Sequence, residues 1–399
     1  MFSVEQARSA VLAGLAPVAT EVVGLALAAG RVLAEDLAAR VSHPPVAVSS
    51  MDGYAVRAVD IATAPVTLPV VGEAGAGSPF TGSLIAGQAI RIFTGAQVPH
   101  GADCVVMQEE TERDGTLVTI KTSVAPGKFI RTPGLDFSAG DVLLKAGTLL
   151  GGRAIGLAAA MNIPWVTVRR RPRIAILSTG DEIAMPGDPL GPAQIVSSNG
   201  PGLAAFVANL GAEPVHLGIA RDSRASLNTM IAQAAGCDML VTTGGASVGD
   251  YDLVAGALAD AGLTLGFHTV AMRPGKPLMF GTLKGVPVLG LPGNPVSAMV
   301  GAFLFLEPAL RVLLGRPAET ETIPARLGRD LPANDGRQDY LRAALDHDED
   351  GLTATPLVKQ DSAVLSGLAN AQCLVIRPPH AAAAPAGSMV RILRLPDSW

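Results

Sequence analysis

The chain has 399 residues, 49% hydrophobic and only 16% charged, which excludes a long disordered polymer. A net charge of −5 argues against a basic nucleic-acid surface, and three widely spaced cysteines (Cys104, Cys237, Cys373) exclude a disulfide framework and the usual zinc knuckles. At roughly 150 residues per domain the length predicts two to four domains, and with aromatics at 4% the cores must be built from Ala, Val, Leu and Ile.

Ser3 and Gln6 fit a capping box, and Val4, Ala7, Val11 and Leu15 mark one helical face. The N-terminus, Met1-Phe2-Ser3-Val4-Glu5-Gln6, lacks the basic start and apolar stretch of a signal peptide. A second helix is predicted over residues 19–29, with Gly30 at its C-terminal turn. His43-Pro44-Pro45 breaks the pattern, because a residue before proline is pushed to extended backbone. Residues 46–131 read as short Val/Ile/Thr strands punctuated by Gly and Pro, a β-rich module. Residues 134–168 are mixed, with a helix predicted at 153–161, and Arg169-Arg170-Arg171-Pro172 reads as a solvated linker.

From 173 to 314 strands alternate with helices: strands at 173–178, 215–219 and 237–243, helices at 203–210 and 225–235. That rhythm predicts a parallel βαβ sheet covered on both faces, with sites beyond the carboxyl ends of its strands. The longest apolar run, 296–306, ends at Glu307 and is too short to cross ~30 Å of hydrocarbon, so no membrane span is expected. Residues 316–399 show alternating runs and predict a small β-barrel or sandwich. The resulting divisions are 1–45 with 134–171, 46–133, 172–315 and 316–399, in a chain expected to be cytoplasmic.

Acidic residues stand beside glycines in predicted loops: Asp52 before Gly53, Asp181 and Glu182 after Gly180, and Asp250 and Asp252 after Gly249. Such carboxylates bind a divalent cation, orient water or act as general base, or they simply solvate a turn. Three segments suit an anion. Gly244-Gly245-Ala246-Ser247-Val248-Gly249 sits between a strand and a helix, where inward N–H groups favour phosphate, although its spacing is not that of a P-loop. Arg273-Pro274-Gly275-Lys276-Pro277 puts two cations at a tight turn, and Leu291-Pro292-Gly293-Asn294-Pro295 opens a helix with Pro295 in its first turn. Thr94-Gly95-Ala96 ends a strand of the β-rich module, and no histidine pair has metal-ligand spacing.

In this order the chain carries Ser50-Met51-Asp52-Gly53-Tyr54, Phe93-Thr94-Gly95-Ala96, Ser178-Thr179-Gly180-Asp181-Glu182, Ser197-Ser198-Asn199, Thr243-Gly244-Gly245-Ala246-Ser247-Val248-Gly249-Asp250, Pro274-Gly275-Lys276-Pro277 and Leu291-Pro292-Gly293-Asn294-Pro295. The series resembles the molybdopterin molybdenumtransferase family, the bacterial MoeA type related to the gephyrin E domain, over essentially the whole chain.

The resemblance implies four domains: an elongated mixed dimerisation domain, the β-rich module, a molybdopterin-binding-like βαβ domain and a C-terminal β-barrel. It implies a homodimer whose active site lies between the β-rich module of one copy and the βαβ domain of the other. The reaction implied is delivery of molybdenum from molybdate to adenylylated molybdopterin, with release of AMP and help from Mg2+. Asp52, Thr94, Glu182 and Asp252 are implied in catalysis, with Asp52, Glu182 and Asp252 at the metal. Asp136, Asp222, Lys276, Pro292 and Pro295 are implied in substrate binding, and the residues themselves add Ser198, Asn199, Gly244, Gly245, Ser247 and Arg273 as binding candidates. A molybdopterin adenylyltransferase and recipient molybdoenzymes are the implied partners, with neither nucleic acid nor membrane among them.

Two positions depart from the family pattern: Leu135 stands where an acid is common, and Arg273 where a lysine is common. Two other readings compete. One is the adenylyltransferase that makes the adenylylated pterin, which would need neither residues 1–170 nor the C-terminal barrel. The other is a non-catalytic pterin-binding scaffold.

Overall fold

The computed structural model describes residues 1–244, 253–349 and 351–396. It has two compact units, one of Met1–Glu21, Gly30–Ala34 and Thr167–Trp399, the other of Val22–Ala29 and Glu35–Val166.

Helix α1 (Val4–Leu12) starts at the expected capping box: Gln6 N donates to Ser3 Oγ at 3.1 Å and Ser3 N to Gln6 Oε1 at 2.9 Å. The helix expected over 19–29 does not form. Thr20–Gly24 is a strand and Leu25–Leu27 a single 3-10 turn. The β-branched Thr20, Val22 and Val23 favour extended backbone, and Val22 and Leu27 stay exposed, so no helical face is buried to override that preference.

In the second unit the strands β1 (Gly53–Val56), β2 (Val66–Ala74), β3 (Ala89–Ile92), β4 (Cys104–Met107), β5 (Thr111–Asp114) and β6 (Leu117–Ile120) form a sheet in the order β4-β1-β3-β2-β6-β5. Alternation sorts its side chains into two cores. Tyr54 and Val56 join Val106 and Ile120 on one side, while Ala55 joins Ile90, Ile92 and Val105 on the other. Helix α2 (Gly152–Ala160) lies where the sequence predicts it.

The first unit contains the expected βαβ domain: β7 (Arg173–Thr179), α3 (Asn199–Asn209), β8 (Glu213–Ala220), α4 (Arg224–Ala232), β9 (Met239–Thr243), α5 (Leu253–Asp260), β10 (Leu263–Thr269), β11 (Pro277–Leu283) and β12 (Val286–Leu291). The order is β8-β7-β9-β12-β11-β10. Strands β8, β7, β9 and β12 are parallel, as expected, but β11 runs antiparallel to both neighbours. Only Lys284 and Gly285 separate β11 from β12, both at positive φ (49° and 86°), and a two-residue hairpin of that kind forces the reversal. Both faces of the sheet are covered. Ile174 and Ile176 pack towards α3, whereas Ala175 and Leu177 pack towards α4 and α5.

The apolar run ends at Glu307, but the helix that carries it does not. Helix α6 (Pro295–Gly301), a π-helical stretch (Ala302–Leu306) and α7 (Glu307–Leu313) form one helix of 19 residues. By length and composition it could cross a membrane, but 83% of it is buried inside the fold, as in a core helix. Glu307 does not stop it, because Arg311 one turn later donates to its carboxylate from Nε at 2.9 Å.

The arginine linker is also not a solvated hinge. Arg170 grips Asp238 through both terminal nitrogens at 2.7 and 2.6 Å, and Arg169 donates to Val18 O at 3.1 Å. Beyond α7, β13 (Ile323–Leu327), β14 (Gln338–Asp348), β15 (Gly351–Pro356), α8 (Leu365–Ala369), β16 (Cys373–Arg377) and β17 (Met389–Arg394) complete the chain. Pairing of β14 with β16 closes five of these strands into a barrel.

Candidate active site

In the β-rich module the antiparallel pairing of β1 with β3 sets Gly53 opposite Ile92, so the residues just outside each strand meet. Asp52 precedes β1 and Thr94 follows β3. Thr94 N and Thr94 Oγ1 both donate to Asp52 Oδ1, at 2.7 and 2.8 Å. The Thr94 N–H, then its hydroxyl, hold the Asp52 carboxyl below the usual carboxylate range, and the Arg91 charge adds to this against the small cost of burial. Arg91 was not singled out in the sequence. Its guanidinium lies 5.2 Å from the Tyr54 ring centre and 4.7 Å from that of Phe93, and donates to Gly53 O at 3.2 Å. The signal available was its place two residues after the strand's first residue, beside Thr94-Gly95. Asp136 lines a cavity of about 640 Å³ with His43, Arg131, Gly95 and Gln97. Leu135, at the position that departs from the family, lines it too.

In the βαβ domain three loops at the carboxyl ends of β7, β9 and β12 touch one another. Asn199, the first residue of α3, donates from Nδ2 to Thr243 Oγ1 at 2.7 Å and to Gly293 O at 2.8 Å. Thr243 Oγ1 donates to Pro292 O at 3.2 Å. Gly244 (φ 92°) lies so close to β7 that a Cβ there would fall 2.5 Å from Thr179 O, and one at Gly293 would lie 3.5 Å from Gly244 Cα. Close approach of backbones, not turn formation alone, explains Gly244, whereas a Cβ at Gly293 would make ordinary van der Waals contact. Two buried polar atoms here, Thr179 Oγ1 and Asn199 Oδ1, have no hydrogen-bond partner among the described residues. Ser198 precedes α3 without a side-chain cap; Pro201 has no N–H and Gly202 N donates to Ser198 O at 3.1 Å, so the first turn offers an anion the Asn199 and Gly200 N–H groups.

The other expected residues surround this cluster in different ways. The Glu182 carboxylate lies over Gly180, where a Cβ would fall 2.5 Å from its Oε2. Asp222 donates from its backbone N to Asp181 Oδ1 at 3.2 Å, at the end of β8. Pro295 begins α6. Lys276 is exposed in a turn whose Gly275 approaches the first turn of α6, a Cβ there being 3.6 Å from Ser297 O. Gly245, Ser247 and Asp252 lie outside the described residues.

Arg273 departs from expectation. Its guanidinium is engaged by Asp339, with Nε donating to Oδ1 at 2.9 Å and Nη2 to Oδ2, and it also donates to Asp335 at 3.3 Å and Asn334 at 3.1 Å. With four of its five donors taken, three of them by carboxylates, this fork adds little positive field for a substrate, and the free cation of the turn is Lys276 among the described residues. No three His, Cys, Asp or Glu side chains among the described residues cluster closely enough to cage a metal ion.

Glycine-lined strand ends of an α/β sheet, an uncapped helix start and an exposed lysine define an α/β protein whose sheet has, at its carboxyl edge, a cleft chemically suited to an anion. Comparison with known proteins narrows that class. Residues 2–162 match the MoeA N-terminal region (domain I and II), 175–312 a probable molybdopterin binding domain, and 324–395 the MoeA C-terminal region (domain IV). The molybdopterin molybdenumtransferase of Nostoc sp. is 41% identical over 389 residues, covering 94% of this chain and 89% of the relative. That of Haemophilus influenzae is 34% identical, covering 98% of both chains. The crystal structure of the molybdopterin biosynthesis MoeA protein from Pyrococcus horikosii superposes with a TM-score of 0.86 at 33% identity, covering 99% of each chain. The chain belongs to the MoeA family of molybdopterin molybdenumtransferases, transferases that insert molybdenum into molybdopterin.

Proposed function

We propose that the pterin enters as its adenylylated form and that insertion of molybdenum is coupled to release of AMP. The observation that carries this reading is the strand-end cluster of Thr179, Asn199, Thr243 and Gly244 at the open N-terminus of α3, with Lys276 on the neighbouring turn. Oriented N–H groups and one unpaired buried hydroxyl suit a phosphate, and a lysine supplies a point charge for a second anion such as molybdate. Donors fixed before the reaction stabilise charge that develops on the phosphate oxygens as the anhydride breaks. Lys276 and the cradle hold the anions, and the ionised Asp52 orients water or a cation.

Magnesium, when bound, would neutralise phosphate charge as AMP leaves. It keeps several waters and needs only one or two carboxylates besides substrate phosphate, so the absence of a three-acid cage among the described residues is compatible with it. Asp52 suits that limited demand, since both Thr94 bonds fall on Oδ1 and Oδ2 takes neither. Glu182 is the second carboxylate of this reading. We further propose a cytoplasmic homodimer in which Asp52 and Thr94 from one copy serve with the βαβ residues of the other. An adenylyl transfer must supply this substrate, and a molybdenum-dependent enzyme must consume the product.

The test is incubation of the purified chain with adenylylated molybdopterin, Mg2+ and molybdate. AMP release that depends on molybdate is the expected result. AMP that never appears, or appears equally without molybdate, overturns the coupling.

A further inference from the structure

Helix α6 begins beside the cradle, yet its N-cap residue does not cap it. The Asn294 side chain makes no bond to the helix and instead donates from Nδ2 to Ser362 Oγ at 3.0 Å. Pro295 has no N–H, so the first donor the helix must satisfy is Val296 N. Its acceptor is Ser362 O at 3.1 Å. The cap is therefore supplied by a loop of the C-terminal barrel, 66 residues further along the chain.

That loop is held from inside the barrel by Arg342, on β14 and only 1% exposed. Its Nη1 donates to Asp361 O at 2.9 Å and to Val364 O at 3.4 Å, and its Nη2 to Lys359 O at 3.3 Å. Its Nε and backbone N both donate to Gln360 Oε1, at 3.3 and 3.0 Å. Among the described residues no carboxylate forms a salt bridge with this buried cation, and loop carbonyls and one amide take four of its five side-chain donors. Moving the loop would strand a charge away from water, which makes the loop conformation stiff. The same strand holds the basic turn as well: Asp339 engages Arg273, and Gln338 N donates to Ala271 O at 2.9 Å.

We infer that Arg342 is a positioning residue for molybdenum transfer: it fixes the loop of residues 359–364, and through Ser362 that loop sets residues 292–296 at the cradle. The inference rests on the reading of those residues as part of the substrate site. A readout independent of turnover therefore comes first, amide hydrogen exchange at Val296 in the full chain. In Arg342→Gln the Val296 amide should exchange at least about tenfold faster while buried amides of β7 such as Ile176 keep their protection. Arg342→Lys, which keeps a charge and part of the donor set, should recover part of the loss.

In the AMP-release assay, Arg342→Gln should raise KM for molybdate several-fold. Ser362→Ala, which removes only the Asn294 contact, should shift KM in the same direction. The double variant should fall short of the product of the single effects, because both act along one chain of contacts. Unchanged Val296 exchange, a loss shared equally by Ile176, or fully multiplicative KM effects would each overturn the inference. A wild-type chain without molybdate-dependent AMP release would defeat the functional reading instead, and Val296 exchange would still decide the coupling.

Discussion

At Asp52 the two Thr94 donors act differently. The N–H is part of the turn after β3 and persists in any variant that keeps the backbone, whereas the hydroxyl is removed by Thr94→Val. Because both lower the Asp52 pKa, the carboxylate keeps its charge to lower pH than an ordinary one, and the stabilisation is present above the unfolded value of 3.8 and is lost as pH falls through the folded value. Thr94→Val is expected to move the acidic limb of the kcat/KM profile to higher pH, part of the way to an ordinary carboxylate. A limb that stays in place would show that Asp52 does not govern it. Asp52→Asn should lower turnover at least about tenfold, as for loss of an electrostatic group in a site, with only a small drop in the unfolding midpoint, because an amide oxygen still accepts from Thr94 while the charge that strengthens those bonds is lost. Both residues were legible as strand-end positions, but their contact was not, because it depends on the β1–β3 register. Arg273 was legible as a cation, but its pairing was not, since its partner Asp339 stands 66 residues away and nothing local announces the pair.

The elements that read most clearly were those buried on both faces. Strand β7 has a continuous apolar run, and six of its seven residues are buried, so pattern and environment agree. Residues 19–29 misled because alanine and leucine suggest a helix where no tertiary face is available to bury one. The link 169–172 misled for the opposite reason: arginines look solvated until a carboxylate meets them. Asp238 accepts from Arg170 twice and from Arg173 N at 2.7 Å, and these donors outweigh the burial that alone would raise its pKa, leaving it lowered. This support is present above the ordinary carboxylate pKa and is lost as pH falls through the lowered one. Asp238→Asn should cost about 1–2 kcal/mol at neutral pH, discounted for partial exposure of Arg170. Urea unfolding at pH 7 measures it, and the cost should shrink at pH 3. Asp238 precedes β9, at the end of the sheet opposite the cradle, so KM and kcat should not move; a kinetic defect without a stability loss would contradict this assignment.

A chain with net charge −5 that handles two anionic reactants relies on local fields rather than on its overall charge. Screening over ~8 Å at physiological salt confines each charge to its neighbourhood, so Lys276 and the strand-end N–H groups act without opposition from distant carboxylates. The residues proposed for the reaction fall in both compact units: Asp52, Thr94 and Asp136 in one, Glu182, Asn199, Gly244 and Lys276 in the other. If the two sets come from different copies of a homodimer, two inactive variants must repair each other. Asp52→Asn disables one set and Lys276→Ala the other. Mixed in equal amounts and allowed to exchange subunits, half the dimers are heterodimers, each with one intact site and one doubly altered site, so activity should return to roughly a quarter of wild type by the symmetry of the pair. AMP release measured before and after subunit exchange tests this directly. Activity that stays at the level of the separate variants, in a preparation where heterodimers are demonstrated by differential tagging, would mean that each copy uses its own Asp52.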